Sequence, residues 1–308
     1  MTSRTLTLQM DFHKSLATPK VSSQDWYYSK KLRTNLLGIY CANDDTINCF
    51  LYDETTGGVG PNEAISLLDY LLTDLESRIG GHDQLIIWCD NSPAHFKECY
   101  LFFYMDDLVK KGKFLRADLK FLLEGHSYSI CDRRFGSIQR LFDTHEVIEF
   151  PRQWAIVLER SHLKDVRTYW VTLNMIKDYK SFLKMQYISR NEDLDGEKFE
   201  VRGIAWLNFG YGELLNENGE LELVHHPESV FLRFRMDPKE QPKRVSFIKK
   251  RQANKLIPEL LTPFSQEARP VKKSVKDFCV KLSQKYLAEN AVHFYQSLRV
   301  IDEDSDTD

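Results

Sequence analysis

Residues Leu85–His95 read LIIWCDNSPAH. Five apolar residues, Leu85 to Cys89, stop abruptly at Asp90 and Asn91. A short apolar run bounded by polar turn residues predicts a strand buried on both faces, as in a parallel or mixed sheet. An acid at the carboxyl end of such a strand sits where open α/β sheets place ligands and chemistry. Taken alone, Asp90 reads better as a capping residue in a strand-to-helix turn, and it is two further acids elsewhere in the chain that favour a site. Pro93 stops the strand, and residues 96–108 read as helix.

Working outward from this strand, Thr5–Phe12 (TLTLQMDF) alternates apolar and polar residues and predicts a strand with Asp11 near its end. Residues 13–35 read as a long loop. Leu36–Ala42 and Ile47–Tyr52 are two further strands joined by the turn signal Asn43-Asp44-Asp45. Gly57, Gly58 and Gly60 lack a following GK[ST], so this connection reads as a turn rather than a phosphate loop. Asn62 is expected to cap a helix whose stripe is Ile65, Leu68, Leu72, Leu75 and Ile79, ending at Gly80-Gly81. Beyond Asp90 come a helix to about Lys111, a fifth strand at Leu119–Leu123, the turn Gly125-His126-Ser127, and a helix from Ile130 to Phe142. Asp132 falls in the first turn of that helix.

Three antiparallel strands followed by βα units predict an α/β fold: a ribonuclease-H-like mixed five-stranded sheet with flanking helices, plus a C-terminal α+β extension. The step to that named fold is analogy. The expected divisions are a core over residues 1–145, an accessory region over 146–300, and a disordered acidic tail over 301–308. On such a sheet Asp11 and Asp90 end neighbouring strands, and Asp132 is a third acid nearby. Converging carboxylates repel one another, and burying them unpaired is costly. Two Mg²⁺ or Mn²⁺ ions would relieve this, since oxygen-only ligands favour hard cations, and would equip the site for phosphodiester cleavage or strand transfer. His126 is a candidate catalytic residue, although a lone histidine is more often bonded within the core. Asn91, His95, Arg133 and Arg134 flank the acids and are candidate substrate contacts. Glu54 reads either as a fourth acid or as a salt-bridge partner. His225-His226 precede Pro227 in an expected β-turn.

Composition bounds the remaining possibilities. The 308 residues are 42% apolar and 12% aromatic, enough for a substantial core, and carry a net charge of −3. No run approaches the roughly eighteen apolar residues of a membrane helix, and the N-terminus lacks a signal-peptide core, which points to a nuclear or cytoplasmic protein. Six cysteines without a CxxC pair predict reduced, buried thiols. Lys239–Arg299 holds 14 Lys or Arg against 5 Asp or Glu. Such a run is usually a solvated face. Beside a nuclease-like core, Lys249, Lys250 and Arg251 become candidate phosphate contacts, salt-sensitive and without sequence preference, with DNA as the expected partner. A homo-oligomer is compatible with all of this.

LQMDF around Asp11, CDNSPAHFK around Asp90, GHSYSICDRRFGSI around Asp132 and the closing VKDFCVKLSQKYLAENAVHFYQSL resemble a transposon-derived domain family, rich in invertebrates and of unknown function. Its members look like DDE/D transposases with a ribonuclease-H-like core, and DNSPAH is similar to the second-acid motif of Tc1/mariner-like transposases. The resemblance covers most of the chain and is strongest over residues 85–142. It implies that Asp11, Asp90 and Asp132 are the metal-binding triad, with His126 a motif residue. Many relatives carry a glutamate where this chain has Gln139, and an amide oxygen binds a hard cation more weakly than a carboxylate. The chain begins about ten residues before Asp11, as expected of a transposase fragment or a domesticated remnant. The resemblance therefore leaves two expectations: a metal-dependent polynucleotidyl transferase or nuclease, or a silent module that binds nucleic acid or protein.

Overall fold

The computed structural model describes residues 4–28, 30–91, 96–122, 129–249 and 261–301. Within them a single ten-stranded mixed sheet carries helices on both faces. Its middle holds the elements read around Leu85. Strand β1 (Thr5–Phe12) pairs antiparallel with β3 (Leu32–Cys41) and parallel with β5 (Gln84–Cys89). Next to β3 lies β4 (Thr46–Asp53), antiparallel, and next to β5 lies β6 (Arg116–Phe121), parallel. The central order is thus β4-β3-β1-β5-β6, with β3 alone reversed.

The sheet is twice the expected five strands. The short β2 (Leu16–Thr18), which pairs with β3, and the one-turn α1 (Gln24–Tyr28) lie inside the stretch expected to be loop. On one side β7 (Val166–Trp170) adds parallel to β4. On the other, β8 (Trp206–Leu215), β9 (Leu221–Arg233) and β10 (Lys243–Val245) continue past β6. Apart from β2, the added strands come from beyond residue 146, so the sheet runs through both halves of the chain. Two local expectations change with it. His225, His226 and Pro227 lie within β9 rather than in a turn, next to a register shift at Phe209/Gly210. Ile301 pairs with Lys272, while residues 302–308 lie outside the described residues.

Strand alternation sorts the side chains onto two faces. On one face Leu6, Leu8, Met10, Leu85, Ile87, Cys89, Leu119 and Leu207 pack under α2 (Pro61–Ile79) and α3 (Cys99–Lys110), a layer joined by α6 (Tyr179–Gln186). On the other, Leu36, Tyr40, Ile47, Cys49 and Leu51 pack under α4 (Ile130–Asp143) and α5 (Pro151–Glu159). Strands β1 and β5 are therefore apolar towards α2 and α3, while Gln9, Asp11, Trp88 and Asp90 share the face of α4.

Helix α2 starts two residues earlier than the Asn62 cap implies, because Pro61 suits the first helical position and Gly60 precedes it. Asn62 is instead buried, and its amide oxygen accepts from the Lys180 N–H at 2.7 Å, tying α2 to α6. Gly80, at φ 86°, ends α2 as the glycine pair predicts. The basic C-terminal region closes with α7 (Lys273–Tyr286) and α8 (Glu289–Gln296). All six cysteines are free thiols, five of them buried. Among the described residues no helix is long and apolar enough to cross a membrane.

Candidate active site

The last register pair of β1 and β5 is Met10 with Cys89, both turned into the α2/α3 core. Asp11 and Asp90 follow immediately, so both leave the opposite face, at the carboxyl ends of two parallel strands. Helix α4 brings the third acid. Its backbone starts against β1, where the Ile130 N–H donates to Gln9 Oε1 at 2.9 Å and Cys131 Sγ–H to the Gln9 carbonyl at 3.3 Å. Closer approach over β3 depends on Gly38, the register partner of Asp11. A Cβ built there would lie 2.5 Å from Cε1 of Phe135, so the missing side chain is what lets the ring of Phe135 settle onto the strand.

Gln9, Met10, Asp11, Asp90, Leu122, Ser129 and Asp132 consequently line one cleft of about 120 Å³. Asp11 and Asp90 are half-buried and Asp132 is exposed. Burial pushes the Asp11 carboxyl up to about 7, with the charges of Asp90 and Asp132 adding to the effect and the Phe12 N–H opposing it. That N–H donates to Asp11 Oδ1 at 2.7 Å. Asp132 has a second task, because α4 opens with a capping box: the Asp132 N–H donates to Ser129 Oγ at 2.9 Å and the Ser129 N–H to Asp132 Oδ2 at 3.0 Å. Among the described residues no three His, Cys, Asp or Glu side chains are arranged as a finished metal cage. The three acids share a cleft rather than a common point.

The remaining sequence candidates divide sharply. Asn91 stays beside Asp90, and its Oδ1 is buried without a hydrogen-bond partner among the described residues. Arg134 is turned away, its guanidinium paired with Asp45 at 2.9 Å and Asp165 at 3.1 Å beyond the far end of the β1–β3 pairing. Exposed Arg133 also lies near enough to Asp45 to help hold its carboxyl below the usual range. Lys249 donates to the Lys184 carbonyl at the end of α6, in the layer opposite the acids. Glu54 is a salt-bridge partner, 3.2 Å from Arg33. Gln139 donates to Asp143 Oδ1 at 2.7 Å, about two turns further along α4 than Asp132. His226 is buried against Phe231 and bonded to the Ser229 carbonyl, the ordinary fate of a core histidine. His95, His126, Lys250 and Arg251 lie outside the described residues.

Sequence reasoning passed over Gln9 and Ser129. Gln9 sits two residues before Asp11 on the same face and anchors α4, and the signal was the strand alternation already used for Asp11. Ser129 three residues before Asp132 is a capping pattern legible in the sequence.

A family model described as a domain of unknown function, DUF7869, matches residues 24–202, more than half of the chain. The chain belongs to this family. The DUF7869 match contains Asp90, Asp132 and the five middle strands except β1, so Asp11 precedes it. It also runs into the connection before β8, past the expected boundary at residue 146. No curated protein matches the chain.

Proposed function

We propose that this DUF7869 chain is a transposase-derived polynucleotidyl transferase or nuclease core of the DDE/D type, with a ribonuclease-H-like fold and DNA as substrate. The observation that carries the reading is the cleft lined jointly by Asp11, Asp90 and Asp132. Support comes from the central order β4-β3-β1-β5-β6 with only β3 reversed, which brings the first and second acids onto adjacent parallel strands.

The donor set fits hard divalent cations. It consists of carboxylate oxygens alone, and Asp11 is raised first by burial and further by the charges of Asp90 and Asp132. Asp11, Asp90 and Asp132 would hold Mg²⁺ or Mn²⁺. Bound there, such ions supply a lowered pKa for water and stabilisation of a leaving oxygen. The protein's own part is positional. Gln9 fixes the start of α4 over β1, Gly38 admits the ring of Phe135, and Ser129 orients Asp132 through the capping box.

A second reading has one observation in its favour. Asp132 Oδ2 already serves the helix cap, so the acids also suit a silent, domesticated module that binds without cleaving. Nicking of supercoiled plasmid in Mg²⁺ or Mn²⁺ separates the two. The enzyme reading expects nicking by the wild type and a loss of at least 100-fold in Asp90→Asn. Equal rates in both proteins refute it.

A further inference from the structure

Immediately behind the acids, strand register sets a row of side chains across the same face of the sheet. Gln9 pairs with Trp88, Trp88 with Lys120, Lys120 with Trp206, and Trp206 with Arg233. Rings and cations alternate along it. Lys120 Nζ lies 4.1 Å from the Trp206 ring centroid and 5.3 Å from that of Trp88, and the Arg233 guanidinium lies 4.8 Å from Trp206. The outer half of the row is fixed by neighbours on the same face. Trp206 Nε1–H donates to Asp118 Oδ1 at 2.9 Å, Asp118 is paired with Arg116 at 2.8 Å, and Arg233 donates to Asn208. Trp206, Asp118, Asn208 and Arg233 are all buried. Trp88 and Lys120 are only half-buried. The row therefore presents one indole and one ammonium to solvent on a rigid support, with Trp88 two residues from Asp90, about 7 Å along the strand.

We propose that Trp88 and Lys120 form a stacking subsite for an unpaired nucleobase next to the phosphodiester held at the acids. The proposal rests on the reading of the cleft as a phosphodiester site. An indole face stacks on any base, and an adjacent cation answers the backbone charge, so such a site takes single strands without sequence preference. A base inside a duplex is already stacked and paired. The subsite thus selects unwound or frayed strands over intact duplex.

The test is binding of labelled oligothymidylate, oligouridylate and a DNA duplex, measured by fluorescence anisotropy without divalent ions, where no cleavage occurs. Wild type is expected to prefer the single strands, and the two oligonucleotides distinguish DNA from RNA as the source of the base. Trp88→Leu is expected to weaken single-strand binding by about 5- to 150-fold, and Trp88→Phe, which keeps a ring, to restore most of it. Lys120→Met, which keeps the stem over Trp206, is expected to lower the salt dependence by about one phosphate contact. Unchanged binding by Trp88→Leu, or no binding by the wild type, overturns the subsite. Trp88-dependent binding without metal-dependent nicking leaves the subsite standing and removes the catalytic reading instead.

Discussion

Asp11 and Asp90 are the residues next in register after the Met10–Cys89 pair of two parallel strands, so their carboxylates project side by side from the face covered by α4. Two like charges at neighbouring strand ends are unfavourable unless something answers them. Among the described residues local chemistry supplies partial answers: one N–H from Phe12 to Asp11, and one from Ser129 to Asp132.

That imbalance has a sign in pH. In the folded, metal-free chain Asp11 keeps its proton up to about 7, whereas the unfolded chain releases it near the ordinary 3.8. Between these values the folded state binds more protons, so the Asp11 contribution is fully present below about pH 4 and is lost as pH rises through 7. Asp11→Asn should remove this slope and stabilise the metal-free protein at pH 8 by on the order of 2–4 kcal/mol relative to wild type. Denaturant melts of both proteins at pH 5 and pH 8 measure the difference.

Added cation should act in the opposite direction. At pH 8 and about 100 times its Kd, Mn²⁺ is expected to stabilise the wild type by about 2.7 kcal/mol, with little effect in Asp90→Asn. Calorimetric melting with and without Mn²⁺ checks this.

The two tasks of Asp132 can be separated. Asp132→Asn keeps an oxygen for the Ser129 N–H but loses the charge, so metal-free stability should hold within about 0.5 kcal/mol while Mn²⁺-dependent nicking is lost. Asp132→Ala should lose nicking and, in addition, about 1 kcal/mol of stability with the cap. Matching melts for the two variants would show that the cap contributes nothing.

Gly38 controls the seat of α4. Gly38→Ala drives a methyl group to 2.5 Å from Phe135 Cε1 and 3.2 Å from Ile47 Cδ1, so one side must yield. The expected cost is about 1–3 kcal/mol, and displacement of α4 should reduce nicking more than Gly38→Ala reduces helix content. Restoring space with Phe135→Leu in the Gly38→Ala background should recover part of both losses, which a double-mutant cycle quantifies.

Buried Asp118 answers Arg116 and accepts from Trp206 and Asn208, with Arg233 close by. Asp118→Ala leaves buried cations without their carboxylate and should cost about 3–5 kcal/mol, read from denaturant unfolding.

The middle of the fold was legible because its signals are local. Leu85–Cys89 is apolar throughout, Thr5–Phe12 alternates, and Gly80 ends α2, so the strand ends bearing Asp11 and Asp90 could be set from sequence alone. The edges were not legible. β7 joins β4 from more than a hundred residues away, and β8 turns back onto β6 from a segment whose alternation specifies a strand but not its partner. Arg134 shows the same limit within the site. Its position beside Asp132 suggests a phosphate contact, but its direction is fixed by Asp45 and Asp165, one in a distant turn and one just before β7. The row from Gln9 to Arg233 needed four strand registers at once, which no local pattern contains.

Anomalous diffraction from crystals soaked in Mn²⁺ tests the central claim most directly. The account predicts manganese peaks in the cleft within bonding distance of Asp11, Asp90 and Asp132, absent in Asp90→Asn crystals. Manganese bound elsewhere, or an empty cleft at saturating Mn²⁺ and pH 8, would contradict it.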